Sequence, residues 1–138
     1  MKEITFREVE FLAFSLAQEM LAFDEPIPDF STRFAGSLES CLAVPFQKFA
    51  GKAPYPTLVA KAAILFYLMV KNHPFQNGNK RIAITTLTVF LFKNKKWLTV
   101  DSKELYNLTV WVAQSPPTVK KETVAAIETF LTKYLTVL

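Results

Sequence analysis

Nine consecutive residues, Ala62 to Val70, read Ala-Ala-Ile-Leu-Phe-Tyr-Leu-Met-Val and carry no charge. The run is far too short to span a bilayer. Its wider segment, Thr57 to Asn72, has the length of a helix, and a helix apolar on every side has to be surrounded by other elements. A core built around a central helix is therefore the first constraint on the fold.

The remaining segments read as helices packed around that one. Thr5-Phe-Arg-Glu8 has the form of a capping box, and Val9, Leu12, Leu16 and Met20 then recur at helical spacing. Asp24-Glu-Pro-Ile-Pro-Asp stops that helix, because Pro26 and Pro28 cannot continue it. A shorter helix is predicted over Ser37 to Val44. Pro45 to Pro56 is irregular, with Phe46, Phe49 and Tyr55 set among prolines and Gly51. Exposed aromatics there can contact a partner, and buried ones can cover the core. Asn79 to Asn94 is the next helix, with Lys93, Lys95 and Lys96 complementing the dipole at its C-terminal end. Trp97 to Val100 reads as a short extended piece, and Asp101-Ser-Lys-Glu104 caps a helix to about Ala113. Pro116-Pro117 breaks it, and Val124, Ile127, Leu131 and Leu135 mark a final amphipathic helix. The expected fold is mainly α.

The chain has 138 residues, 51% of them hydrophobic and 14% aromatic, which suits one domain with a substantial core and excludes disorder. Three glycines are too few for a β-rich fold full of tight turns. The net charge is +4, with basic residues gathered at Lys71, Lys80, Arg81, Lys93, Lys95 and Lys96. Such a group can serve a nucleic acid, an acidic protein or a nucleotide. Without zinc-ligand spacing, an Arg-rich arm or a recognition helix, nucleic acid is not the expected partner. A lone cysteine, Cys41, allows no intrachain disulfide, suits a reducing compartment and sits at helix-like spacing in a packing role. The N-terminal residues show no secretory pattern, so no membrane is implicated and a cytoplasmic location is expected.

Residues 73–81, His-Pro-Phe-Gln-Asn-Gly-Asn-Lys-Arg, hold the only histidine of the chain. Histidine is the side chain that exchanges a proton near neutral pH without help. Phe75 is an apolar wedge among polar neighbours, and Pro74 stiffens the turn. Gly78-Asn79 opens a helix whose first N–H groups favour an anion. Lys80 and Arg81 stand at that same positive end, which costs several tenths of a kcal/mol per cation unless an anion offsets it. Each of these residues alone suits an ordinary turn or a solvated surface. Together they supply a base, a wedge, an anion nest and two cations.

The stretch resembles the active-site motif of the Fic/Doc superfamily, His-x-Phe-x-(Asp/Glu/Asn)-(Gly/Ala)-Asn followed by Gly-Arg or Lys-Arg. Its Lys-Arg form is similar to the Doc (death on curing) branch. Leu38-Glu-Ser-x-Leu-Ala-x-Pro45, Tyr55-Pro56-Thr57 and Lys71-Asn72 also fit that branch. The resemblance implies a compact helical bundle with the active-site loop between two central helices and a short flap. It implies His73 as the general base, and Gly78, Asn79, Lys80 and Arg81 as the cradle for the phosphates of ATP. Phe75 would be the structural anchor, and Asn77 would occupy the position that usually binds Mg2+ through a carboxylate. An amide there is a neutral, weaker ligand for a hard dication. Pro45 to Pro56 would be the flap that aligns the target segment.

Fic AMP transferases typically have glycine at the position of Lys80 and a second arginine at the position of Ile84. With neither present, the resemblance implies transfer of the γ-phosphate of ATP rather than AMP. The target implied is a threonine of a translation factor such as elongation factor Tu, with growth arrest as the outcome and an antitoxin as partner. Two alternatives stand beside this reading: an AMP transferase using the same histidine, and a catalytically weak nucleotide- or protein-binding module, which Asn77 favours. Some Fic proteins inhibit themselves through a helix bearing (Ser/Thr)-x-x-x-Glu-(Gly/Asn). Ser15 with Glu19 and Thr118 with Glu122 approach that pattern, but Met20 and Thr123 follow them, so inhibition in trans is expected.

Overall fold

The computed structural model describes residues 1–19 and 26–138, and the fold is mainly α. The chain begins with α1 (Phe6–Glu8), a π-helical turn over Val9–Ala13, and α2 (Phe14–Glu19). Thr5 and Glu8 form the capping box: the Thr5 hydroxyl accepts from the Glu8 N–H, and the Glu8 carboxylate accepts from the Thr5 N–H. The π turn closes over five residues and rotates α2 about its axis relative to α1. Val9, Ala13, Phe14 and Ala17 are therefore the buried residues, while Leu12 and Leu16, expected on the inward stripe, are 48% and 39% exposed. Met20 and the Asp24-Glu25 start of the predicted helix stop lie outside the described residues.

Beyond Pro26 and Pro28, a 3-10 turn at Phe30–Thr32 leads into α3 (Ala35–Ala43). This helix starts two residues before the predicted Ser37 and ends in a 3-10 turn at Val44–Phe46 that Pro45 enters. The central helix is α4 (Leu58–Lys71), started by the Thr57 hydroxyl, which accepts from the Ala60 N–H at 3.0 Å. Every residue from Ala60 to Val70 is buried. Each of Ile64, Leu65, Phe66 and Met69 removed from water contributes about 1.5–3 kcal/mol.

Next come α5 (Asn79–Lys93), β1 (Lys96–Leu98), α6 (Ser102–Gln114), α7 (Lys120–Tyr134) and β2 (Leu135–Val137). The central helix packs against α3, α5, α6 and α7, and α5 packs in turn on α2 and α6. Leu135, expected on the last helix, instead opens β2, which pairs antiparallel with β1 in the register Lys96↔Val137 and Leu98↔Leu135. The Thr99 N–H and hydroxyl both donate to the Tyr134 carbonyl, so the helix end is met by the strand side of the ribbon.

The basic residues do not assemble into one patch. Lys71 donates to the Ala113 and Ser115 carbonyls and so closes the end of α6. Lys93, expected only to complement the α5 dipole, reaches across to the Glu8 carboxylate at 2.7 Å and to the Glu3 carbonyl. No helix among the described residues is long and apolar enough to cross a membrane.

Candidate active site

The loop bearing His73 begins at Asn72, the C-cap of α4, and ends at Gly78, the N-cap of α5. Both flanking helices belong to the core, so the loop is held between two rigid ends. His73 itself is exposed and has a φ of 46°, in the left-handed region. That conformation costs a non-glycine residue about 1 kcal/mol or more and needs outside support.

The support comes from the start of α3. The Ser37 hydroxyl donates to the Asn72 carbonyl at 3.1 Å, and the Phe34 N–H donates to the Pro74 carbonyl at 2.8 Å. The two acceptors lie on either side of His73, so its backbone is fixed from both directions. Neither Ser37 nor Phe34 stands out in the sequence, and the Phe34 bond uses no side chain at all. Cys41, on the same helix, is fully buried. Burial pushes its thiol up to about 11, against a weaker opposing hydrogen bond with Asn72, so it is not a nucleophile.

Phe75 is 1% exposed, its ring 5.7 Å from Phe14 and 5.9 Å from Phe30. Phe30 in turn meets Phe6 and Phe14 edge-on. This aromatic cluster holds the floor of the loop. Asn79 closes the loop from above: its Oδ1 accepts from the Phe75 N–H at 3.0 Å, and its Nδ2 donates to the Phe75 carbonyl at 2.9 Å. The Asn79 side chain is thus committed to loop shape, and as the first residue of α5 it leaves the anion-favouring role to the main-chain N–H groups of that helix start.

Gly78 has a φ of 71°, and a Cβ there would come within 2.6 Å of Ile27 Cδ1 and 3.4 Å of the Pro26 carbonyl. Glycine is required both by the left-handed backbone and by this close approach. The helix it opens has no side-chain cap and no acidic residue in its first turn. Lys80 is half-buried there and Arg81 only 4% exposed. The start of α5, which follows the His73 loop directly, therefore combines the partial positive charge of a helix N-terminus with two cationic residues. Asn77 is half-buried, and among the described residues no group of three acidic, histidine or cysteine side chains could hold a metal ion. The donor set does not build a resident magnesium site; an ion would have to take most of its ligands from substrate phosphates and water.

Ile84, one turn beyond Arg81, is 3% exposed and lines an apolar cavity of about 220 Å³ with Leu16, Thr88, Leu91 and Leu105. It faces the hydrophobic interior rather than a charged one. Ser15, Glu19, Thr118 and Glu122 are all exposed on their own elements.

The segment from Pro45 to Pro56 carries a tight hairpin. Phe49 and Lys52 exchange both main-chain hydrogen bonds, at 2.8 and 2.9 Å, across Ala50 and Gly51. Both turn residues have positive φ, 52° and 76°, the pattern of the type I′ turn that suits a twisted hairpin. Phe49 is 62% exposed, whereas the Phe46 ring packs edge-on against Phe90.

Residues 5–91, more than half of the chain, match the Fic/DOC family. No curated protein and no solved structure matches the chain. The matched span runs from the capping box through the histidine loop and along α5, and so includes every element that positions the loop. Members of this family are typically transferases acting on proteins. The chain belongs to the Fic/Doc family.

Proposed function

We propose that this protein is a Doc-like kinase that moves the γ-phosphate of ATP onto a hydroxyl, in the first instance a threonine, of a translation factor such as elongation factor Tu, and that an antitoxin holds it in check. The observation that carries this reading is the pair Lys80 and Ile84. A lysine occupies the position where AMP transferases of the family have glycine. The position of their second arginine is an apolar residue turned into the core. One buried arginine and one lysine at the start of α5 suit a single phosphoryl group better than an extended α,β-diphosphate.

In this reading His73 accepts the proton of the target hydroxyl as its oxygen attacks the γ-phosphorus. The bond from that phosphorus to the bridging oxygen breaks, and ADP carries away the electron pair. Lys80, Arg81 and the N–H groups following Gly78 stabilise the charge on the transferring group, which is the main task in phosphoryl transfer. The Phe49–Lys52 hairpin offers main-chain groups along which a target segment can align.

Incubation of the protein with elongation factor Tu and ATP labelled at either the γ or the α position tests the reading. Label from the γ position is expected on the target, and none from the α position. Label from the α position would make the protein an AMP transferase. Transfer that survives in His73→Ala would remove the histidine from the chemistry.

A further inference from the structure

Lys61 is the one cation on an otherwise apolar stretch of α4, and it is only 8% exposed. A buried ammonium is costly unless its donors are satisfied. Its hydrogen-bond partners among the described residues are two main-chain carbonyls: Nζ donates to Pro45 O at 3.0 Å and to Tyr55 O. It also lies 5.0 Å from the centre of the Phe46 ring, on whose face a cation is attracted. Pro45 and Tyr55 are the two ends of the loop that carries the Phe49–Lys52 hairpin. One buried side chain therefore draws together both ends of that loop.

We propose that Lys61 is a positioning residue that closes the base of the Pro45–Tyr55 loop and so sets the orientation of the hairpin for target alignment. The proposal rests on the reading of the hairpin as the surface that aligns the target. The chemistry of the position supports it. The two carbonyls converge on one point, and an ammonium has three donors with freedom to bond both. A residue of similar length without donors would fill the same volume and leave both carbonyls unsatisfied. The loop has little else of regular structure to hold it: a single 3-10 turn at its start and one isolated bridge at its tip.

The test is Lys61→Met, read by hydrogen exchange and by steady-state kinetics with elongation factor Tu and ATP. Exchange at the Phe49 and Lys52 amides is expected to rise by roughly tenfold, the equivalent of one lost charge-assisted hydrogen bond, with the amides of α4 and α5 unchanged. KM for elongation factor Tu is expected to rise by a similar factor, with KM for ATP and kcat held. Unchanged exchange at the hairpin would remove the tie between Lys61 and the loop. Faster exchange with an unchanged KM for the target, or KM for ATP rising in parallel, would remove the positioning role. Failure of the kinase reading itself would show separately, as absence of γ-label from the wild type, while the exchange measurement still decides the tie. Should Lys61→Met not fold, the wild type decides that tie by nuclear magnetic resonance. Slowly exchanging ammonium protons on Lys61, close to Pro45 and Tyr55, are expected, and protons exchanging as fast as those of exposed lysines would overturn it.

Discussion

His73 sits in a backbone conformation that L-residues avoid, fixed by bonds from Ser37 and the Phe34 amide. This inverts the usual ranking of small substitutions. Glycine ordinarily destabilises relative to alanine because it has more freedom to lose. At position 73 alanine keeps the left-handed penalty and glycine escapes it. His73→Gly is therefore expected to be more stable than His73→Ala by about 0.5–1 kcal/mol in denaturant titration, with transfer lost in both. Asn77 lends itself to a second comparison. If metal binding limits the rate, Asn77→Asp is expected to raise transfer severalfold and to lower the magnesium concentration needed for half-maximal rate. An unchanged magnesium dependence would show that the amide is not the limiting ligand. The residue types of the loop were legible in the sequence, because a base, glycine and cations have few other reasons to cluster. The commitment of the Asn79 side chain to the Phe75 backbone was not, since an amide reads alike as a ligand or as a loop closure. Lys61 stands immediately before the uncharged run Ala62 to Val70, and nothing in the sequence shows that its ammonium is spent on the Pro45 and Tyr55 carbonyls.

At the scale of elements, the helices around α4 were legible from periodicity and caps, and two departures have physical causes. The π turn at Val9–Ala13 shifts the inward stripe to Ala13 and Ala17 and turns Leu12 and Leu16 outward. No periodicity assuming 3.6 residues per turn can foresee that. Leu135 keeps helical spacing with Leu131, yet the chain extends there because Lys96–Leu98 offers a partner strand from far away in the sequence. The junction of the N-terminal arm with α5 carries its own prediction. Glu8 accepts from the Lys93 ammonium at 2.7 Å and from the Thr5 N–H at 2.8 Å. Burial works against its charged form, but the hydrogen bonds from Lys93 and Thr5 outweigh burial and hold the carboxyl below its usual value of 4.5. The native state thus binds this proton less readily than the unfolded chain does. The stability it contributes is complete above pH 4.5 and is lost as pH falls through the lower native value. Glu8→Gln is expected to cost about 1 kcal/mol near neutral pH and to show a smaller loss on acidification, measured by denaturant midpoints across the acid range.

Across the whole molecule, the histidine loop is assembled from parts distant in the chain that meet around one buried helix. Its ends are α4 and α5, its floor includes Phe14 and Phe30, and its side supports come from the start of α3. The bond at Phe34 has a consequence for how such a site can change. It joins main chain to main chain, so it persists whatever side chain residue 34 carries, proline alone excepted. The ring now there is 52% exposed beside the loop. Position 34 is thus a free variable at the rim of the site. Its identity can drift toward new partners while the base below keeps its place, and contact preference can diversify without any cost to the chemistry.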